Sequence, residues 1–254
     1  MLPRPRKRFG QHFLTDRHYR ERIVAAIGPR PGDSMVEIGP GTGILTEELA
    51  RVLDHLDVVE IDRDLAAALR NRYDAAKVTV HEGDALEFDF ASLPAPLRVV
   101  GNLPYNVSTP ILFRMAGLAA RIADCTFLLQ KEVVDRMAAA PDTPDYGRLS
   151  VMLQYRFEVE PLLRVPPGAF TPPPKVDSAV VRLVPLGPDR PVARDEDRFA
   201  AVVMAAFSQR RKTLRNAVRS LVTDATFVAA GIDPSRRGET LSVKEFITLS
   251  DAST

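Results

Sequence analysis

The chain has 254 residues, 45% of them hydrophobic, so it can bury one large core or a main domain with a small appendage. The 34 basic and 33 acidic residues leave a net charge of +1, which alone does not indicate a nucleic-acid partner. The single cysteine, Cys125, excludes an internal disulfide, and its apolar surroundings predict a buried position. With no apolar segment long enough for a membrane span, we expect a cytoplasmic protein that is not associated with membranes, and nothing demands more than a monomer.

The first half of the sequence alternates strand-like and helix-like segments. Leu45, Leu49 and Leu53 recur at a helical spacing of four, and Asp62 precedes a second helical segment as a candidate N-cap. Strands are predicted at 34–38, 56–61, 78–81 and 98–101, followed by a strand around Cys125, and helices at 42–53, 62–73, 110–118 and 131–140. Strands and helices in alternation predict an α/β domain with a parallel sheet.

The second half begins with an interruption and ends in helices. Prolines between 161 and 174 break the pattern, and residues 176–184 alternate like a late strand. The segment 185–191 contains three prolines and a glycine and is interpreted as a linker, after which residues 197–254 have helical periodicity. The sequence therefore predicts a sheet domain at 1–186 and a small all-helical C-terminal domain at 187–254.

Three features follow successive predicted strands. Gly39, Gly41 and Gly43 have the spacing G-x-G-x-G rather than the G-x-G-x-x-G of dinucleotide-binding folds. Glu60 ends the second strand, where an acid can accept hydrogen bonds from ribose hydroxyls, and Asp84 follows the third, where it can accept one from an adenine amino group. Each feature alone is also typical of a turn, a cap or a solvated strand end, but the ordered set resembles class I S-adenosylmethionine methyltransferases, whose sheet is Rossmann-like.

The fourth predicted strand leads into Asn102-Leu103-Pro104-Tyr105. This tetrapeptide resembles the motif (D, N or S; P, I or L; P; Y or F) of methyltransferases that act on nucleobase amino groups. The N6 lone pair of adenine is delocalised into the ring, so the nitrogen is a poor nucleophile. Carbonyl acceptors at Asn102 and Pro104 would draw N6 towards tetrahedral geometry, and the Tyr105 ring offers a surface for base stacking. A plain turn would use the same residue types.

Three further segments make the resemblance specific: residues 6–14 (RKRFGQHFL), 170–178 (FTPPPKVDS) and 207–216 (FSQRRKTLRN). Together with the motifs above they resemble the ribosomal RNA adenine N6,N6-dimethyltransferase family in its bacterial small-subunit branch, over nearly the whole chain. The resemblance implies S-adenosylmethionine as cofactor and 16S rRNA within the small ribosomal subunit as partner. The implied product is N6,N6-dimethyladenosine at two adjacent adenosines in a hairpin loop near the 3′ end of that RNA.

The resemblance also implies roles for single residues. The cofactor contacts carried over are His12, Leu14, Gly39, Glu60, Asp84 and Asn102. The catalytic set comprises Asn102, Leu103, Pro104, Tyr105 and Phe170, with Phe170 placed across the base from Tyr105; a core phenylalanine is the alternative for that position. The family often has Asn where this chain has His12, and both side chains can form hydrogen bonds. The histidines show no metal-ligand spacing, so no metal is expected.

Basic residues cluster near both ends of the sequence. Residues 1–30 contain eight basic and two acidic residues, and residues 208–219 contain five basic and no acidic ones: Arg210, Arg211, Lys212, Arg215 and Arg219. A solvated surface explains either cluster alone. With an RNA substrate, both clusters become candidate contacts to backbone phosphates, and the helical domain becomes a candidate RNA-binding domain.

Four alternatives compete with this interpretation. The first is the same chemistry on large-subunit rRNA, against which the segments 207–216 and 240–246 argue. The second is a ribosome-assembly factor that binds RNA on the same fold without catalysis; the intact cofactor and catalytic motifs argue against it, although an assembly role can coexist with catalysis. A DNA adenine methylase lacks support from a separate DNA-reading domain. A nicotinamide dehydrogenase disagrees with the glycine spacing and with the tetrapeptide.

Overall fold

The computed structural model describes residues 12–209 and 211–253. Within this part of the chain there are two compact units. The first comprises residues up to 134 together with 158–185, and the second comprises 135–157 together with the residues from 186 onward.

The strands of the described chain lie in two sheets. In chain order they are β1 (Phe13–Leu14), β2 (Met35–Ile38), β3 (Leu56–Glu60), β4 (Val78–Glu82), β5 (Leu97–Asn102), β6 (Ile122–Gln130), β7 (Phe157–Val165), β8 (Phe170–Thr171) and β9 (Ser178–Pro185). Seven strands form one sheet in the order β4-β3-β2-β5-β6-β9-β7, while β1 and β8 form a two-stranded sheet. The strands from β4 to β6 pair in parallel, and β9 pairs with β6 antiparallel.

Ten α-helices accompany the strands in the described chain. They are α1 (Arg17–Ile27), α2 (Ile44–Val52), α3 (Arg63–Arg72), α4 (Ser108–Gly117), α5 (Lys131–Ala138), α6 (Arg148–Gln154), α7 (Glu196–Ser208), α8 (Leu214–Val218), α9 (Asp224–Ala230) and α10 (Val243–Asp251). Asp62 is the N-cap of α3, as the sequence predicted: its Oδ1 accepts a hydrogen bond from the Asp64 amide at 3.0 Å. None of the helices described here is long and apolar enough to cross a membrane.

The strand order places a crevice at one edge of the first unit. The chain runs from β2 outward through β3 and β4, then returns to the other side of β2 with β5. At such a reversal the loops leaving the carboxyl ends of the two central strands turn in opposite directions and leave a cleft. Val36, Val58 and Val99 are fully buried, as is typical of parallel strands covered on both faces, and Cys125 is fully buried as predicted.

The β1–β8 pair ties two distant segments of the chain together. Leu14 lies opposite Phe170, and Phe13 lies opposite Thr171. The amide of Thr15 continues the contact by donating a hydrogen bond to the Ala169 carbonyl at 2.8 Å. This pairing fixes the backbone next to His12, a predicted cofactor contact.

The proline-rich segment, predicted to interrupt the regular structure, contains part of a strand. Pro161 lies inside β7, which the sequence did not predict as a strand. Proline has no N–H for a strand ladder, so it is tolerated chiefly on edge strands. β7 is the outermost strand of the sheet, which explains why Pro161 does not end it.

The second unit contains a segment that the predicted boundary assigned to the sheet domain. The break after Pro185 lies next to the predicted one, but residues 135–157 also belong to the helical unit. Tyr155 stacks on Phe199 of α7 with ring centroids 4.4 Å apart, and Tyr146 is buried in the same core. These aromatic side chains bury large apolar surfaces against helices, so their segment packs with the helical unit.

Candidate active site

The loop between β2 and α2 has a backbone that glycine adopts readily. Gly39, Gly41 and Gly43 have φ angles of 67°, 58° and 83°, in the left-handed region. A Cβ added to Gly41 would lie 3.1 Å from the Phe13 ring, and one added to Gly39 would lie 3.9 Å from the Asn102 carbonyl oxygen. The loop is therefore a glycine cradle, in which a side chain at Gly39 would fill the space beside Pro104 and one at Gly41 would fill the space beside Phe13.

Glu60, at the carboxyl end of β3, holds this loop in place. The Gly41 amide donates a hydrogen bond to Oε2 at 2.9 Å, and the Asp62 amide donates one to Oε1 at 2.8 Å. The side chain is only 3% exposed, and burial raises its pKa despite these two donors. Each carboxylate oxygen keeps a further lone pair that could accept a hydrogen bond from a ribose hydroxyl.

Asp84 lies after β4 and is half-buried. Its Oδ1 accepts a hydrogen bond from the Leu86 amide at 2.8 Å, which orders the turn. The residue lines a cavity together with Ile61 and Val107. The apolar walls and one carboxylate of this cavity suit a flat heteroaromatic group with an amino substituent.

The tetrapeptide starts at the last residue of β5. The Asn102 amide nitrogen donates a hydrogen bond to the His12 carbonyl at 3.0 Å, which leaves Oδ1 as the acceptor. The Pro104 carbonyl accepts a hydrogen bond from the Val107 amide at 3.2 Å and keeps a second lone pair. Leu103 is buried and contributes to the cavity wall, so its contribution is packing.

Tyr105 completes the motif and is held at two places. Its hydroxyl lies 2.7 Å from Oγ of the buried Ser178, and burial raises its pKa. Its ring stacks with that of His12, with centroids 5.4 Å apart and planes at 28°. The ring is therefore fixed in orientation, as a surface for base stacking requires.

One cavity of the first unit brings most of the predicted site residues together. Its lining includes His12, Leu14, Gly39, Glu60 and the whole tetrapeptide Asn102, Leu103, Pro104 and Tyr105. Asp84 lines a second cavity that shares Gly39, Ile61 and Pro104 with the first, so the two adjoin. Residues predicted at the carboxyl ends of β2, β3, β4 and β5, and from the β1 segment, thus converge at one edge of the sheet.

Among the predicted catalytic residues, Phe170 does not line the cavity that contains the tetrapeptide. It is 3% exposed and packs in the hydrophobic core of the first unit. Its predicted place across the base from Tyr105 stays a prediction. The β1–β8 pairing places Phe170 opposite Leu14, which is equally buried and does line the cavity.

Glu37 lines the same cavity and was not predicted as a site residue. It is 1% exposed, and Thr46 donates a hydrogen bond to its Oε2 at 2.6 Å. Burial raises its pKa to about 7, against the lowering effect of the Thr46 hydroxyl, and the charge of Glu60 raises it further. An acid inside a short apolar strand, two residues before a glycine loop, was the signal available in the sequence.

The structure describes some of the residues of the two predicted basic clusters. Arg211, Lys212, Arg215 and Arg219 are exposed on the second unit, and Arg215 pairs with Asp224 at 3.0 Å. Arg210 and the basic segment at 1–11 lie outside the described residues. Among residues 12–209 and 211–253, no cluster of His, Cys, Asp and Glu could hold a metal ion.

Solved structures with the same architecture define the class of protein. The 23S rRNA methyltransferase ErmE is 28% identical in sequence, with a TM-score of 0.70 over 94% of this chain and 98% of that one. A dimethyladenosine transferase from Plasmodium falciparum shares the fold with a TM-score of 0.81, at 24% identity over 94% and 96% of the two chains. The sheet, the glycine cradle and the buried acids are those of a class I methyltransferase that uses S-adenosylmethionine.

Sequence comparison assigns the family. The model described as Ribosomal RNA adenine dimethylase matches residues 3–254, and this chain belongs to that family. It is similar to proteins named Ribosomal RNA small subunit methyltransferase A, one from Aromatoleum aromaticum (59% identity over 98% of this chain and 94% of the relative) and one from Laribacter hongkongensis (57%, 97% and 95%). The activity of the family is dimethylation of adenine in ribosomal RNA, with S-adenosylmethionine as methyl donor.

Proposed function

We propose that this enzyme places two methyl groups on N6 of each of two adjacent adenosines, in a hairpin loop near the 3′ end of 16S rRNA. The observation that carries the proposal is the convergence of the glycine cradle, Glu60 and the tetrapeptide in one cavity. Relatives at 52–59% identity bear the small-subunit name, whereas the large-subunit enzyme ErmE is 28% identical. These identities favour the small subunit over the large subunit as the target.

The site residues fit S-adenosylmethionine. The cradle of Gly39 and Gly41 would let the backbone approach the methionine portion, and Glu60 and Asp84 would accept hydrogen bonds from the ribose hydroxyls and the adenine amino group. His12 and Leu14 would contact the cofactor from the wall of the cavity that the β1 segment forms. When bound, the cofactor supplies an electrophilic methyl group on a positively charged sulfur.

Asn102 and Pro104 prepare the nucleophile. Hydrogen bonds from N6 to Oδ1 of Asn102 and to the Pro104 carbonyl would turn the nitrogen lone pair out of the ring and towards the methyl group. The Asn102 amide is oriented by the His12 carbonyl, so the acceptor is in place before the base arrives. No strong base is needed, because the methylated nitrogen becomes acidic and readily loses a proton.

The second methylation makes a different demand on the same acceptors. The monomethylated base has one N6 hydrogen left, so only one of the two acceptors can be filled. The pocket must also admit the first methyl group. Tyr105, anchored by Ser178 and His12, keeps the base in the same plane for both rounds, and stacking on such a ring is typically worth about 1–3 kcal/mol.

Two sets of basic residues are proposed as contacts to RNA phosphates: those of residues 1–30, and Arg210 with the exposed basic residues of the second unit. The helical unit would then act as an RNA-binding domain, and a monomer in the cytoplasm would suffice for the reaction. An assembly role beside catalysis is compatible with the same contacts.

Digestion and mass spectrometry of 16S rRNA from treated small subunits would test the proposed product. We expect the unaltered enzyme to yield N6,N6-dimethyladenosine at two adjacent positions of unmethylated subunits. Asn102→Ala should lower the rate of both rounds by about 100-fold or more, because it removes an oriented acceptor. Near-normal dimethylation by this variant, with its cofactor affinity unchanged, would show that Asn102 does not have the proposed role.

A further inference from the structure

The imidazole of His12 contacts the part of the site that receives the base. Its ring stacks on Tyr105 with centroids 5.4 Å apart and planes at 28°, within the range of offset stacking. Its Nδ1 lies 2.8 Å from the Pro172 carbonyl oxygen. A carbonyl oxygen only accepts hydrogen bonds, so Nδ1 carries the hydrogen in this arrangement.

The backbone and the side chain of His12 have separate contacts. The backbone carbonyl accepts the hydrogen bond from Asn102 at 3.0 Å, a contact that any residue at this position could make. The ring contacts Tyr105 and the Pro172 segment instead. An asparagine at this position could accept and donate hydrogen bonds but could not stack as a ring does.

Tyr105 is consequently held by two contacts, one to its hydroxyl and one to its ring. Ser178, which is fully buried, holds the hydroxyl at 2.7 Å, and His12 covers one face of the ring. The Pro172 carbonyl prevents the imidazole from turning away. A base that stacks on Tyr105 would then use the ring face turned away from His12.

We propose that the His12 imidazole is a positioning residue for the target adenine: it backs the Tyr105 ring and thereby sets the plane in which the base meets Asn102. This inference rests on the proposed function and deepens it. It assigns to the side chain a role in substrate alignment, in addition to the cofactor contact expected of this position.

The test uses three substitutions at His12 and one matched control. His12→Phe keeps a ring and loses the hydrogen bond to Pro172, whereas His12→Gln keeps a donor and loses the ring. His12→Ala removes both. His18→Ala is the control, because His18 also contacts a tyrosine, Tyr19, at a centroid distance of 5.3 Å but lies outside the cavity.

For each protein we would measure kcat and KM on unmethylated small subunits, the Kd for S-adenosylmethionine, and the melting temperature. We expect His12→Ala and His12→Gln to lower kcat/KM for the subunit by about three- to tenfold, a larger factor than any change in the cofactor Kd. His12→Phe should recover most of the loss, and His18→Ala should behave like the unaltered enzyme.

Three results would overturn the inference. A rise in kcat/KM for His12→Ala would mean that the imidazole occupies the place of the base. A change in cofactor Kd as large as the change in kcat/KM would reduce His12 to a cofactor contact. Equal activity of all His12 variants would remove any role for the ring. If the unaltered enzyme fails to methylate small subunits, the proposed function fails instead, which keeps the two failures distinguishable.

Discussion

At the scale of single residues, Glu37 is a carboxyl whose pKa of about 7 should make stability depend on pH. The pKa is raised by burial above its ordinary value of 4.5, so the native state binds this proton more tightly than the unfolded chain. The stabilisation is fully present below pH 4.5 and is lost as the pH rises through about 7. Glu37→Gln should remove this dependence.

Chemical denaturation at several pH values between 5 and 8, without cofactor, would measure the effect. The slope of the unfolding free energy against pH should differ between the two proteins by at most one proton, or about 1.4 kcal/mol per pH unit. Identical slopes would show that Glu37 is ionised like a surface carboxyl.

Substitution of Phe170 tests whether this side chain contributes mainly to stability, through burial, or to catalysis, through stacking on the base. Because the ring packs in the core, Phe170→Leu should cost about 1 kcal/mol of stability and change kcat less than Tyr105→Leu does. Denaturation and steady-state kinetics of both variants would decide the question. A loss of kcat equal to that of Tyr105→Leu, with stability intact, would instead support the predicted stacking role of Phe170.

Some residues of the candidate site could be predicted from local sequence patterns, and others could not. Gly39, Glu60 and Asn102 were predicted because each lies at the carboxyl end of a strand, and parallel strands bring these ends to one edge of the sheet. The place of Phe170 depends on pairing with Leu14, 156 residues earlier in the chain, and no local pattern reveals it. Glu37 was overlooked because a single acid in an apolar strand does not disturb the periodicity of that strand.

At the scale of the elements, Gly101 controls how closely β5 approaches β2. A Cβ at this position would lie 2.4 Å from the Ile38 carbonyl oxygen, a backbone atom that cannot move without distorting β2. Gly101→Ala should therefore cost about 1–3 kcal/mol of stability and displace the neighbouring Asn102, so kcat should fall as well. Denaturation and a methyl-transfer assay would measure both effects.

Gly117→Ala is the matched control, because a Cβ there meets no atom within 4 Å. Its stability should change by less than about 0.5 kcal/mol or increase, since alanine favours helices. If both variants behave alike, the close approach of the two central strands has no role in placing Asn102.

Element prediction succeeded where a pattern was local and failed where contacts override it. The strands from β2 to β5 and the helices α2 and α3 have their own periodicity and caps, so they were predicted to within a few residues. β7 was missed because a proline inside a strand argues against a central strand but not against an edge strand. β1 is two residues long and is defined only by its partner.

At the scale of the whole molecule, the exposed basic residues should make RNA binding depend on salt. Changing Arg211, Lys212 and Arg219 together to Gln should weaken affinity for the small subunit. A plot of log K against log[salt] has a negative slope for RNA binding. This slope should become less steep by roughly one for each substituted residue that contacts phosphate. The kcat at saturating subunit and the cofactor Kd should be unchanged.

Filter binding at four or more salt concentrations would give these slopes. Arg51, Arg63 and Arg70 are exposed arginines of the first unit, on or beside α2 and α3, and changing them to Gln provides a control of equal charge. If the control lowers the slope as much as the test variant does, the RNA contact is not specific to the basic residues of the second unit.

The division of the chain was predictable only in part. A linker rich in proline and glycine marks the break near residue 186, which sequence composition reveals. The membership of residues 135–157 in the helical unit depends on where Tyr146 and Tyr155 bury their rings, and this is a tertiary property. Buried aromatic residues of a connecting segment can thus join a distant domain without any signal in the local pattern.

The most direct test of the central claim is a methyl-transfer assay with tritiated S-adenosylmethionine on three substrates: unmethylated small subunits, large subunits and a DNA duplex. Nuclease digestion would identify the labelled product. We predict label only in the small-subunit RNA, as N6,N6-dimethyladenosine. Label in the large subunit alone would contradict the small-subunit target, and no label anywhere, with the cofactor bound, would contradict the enzymatic role itself.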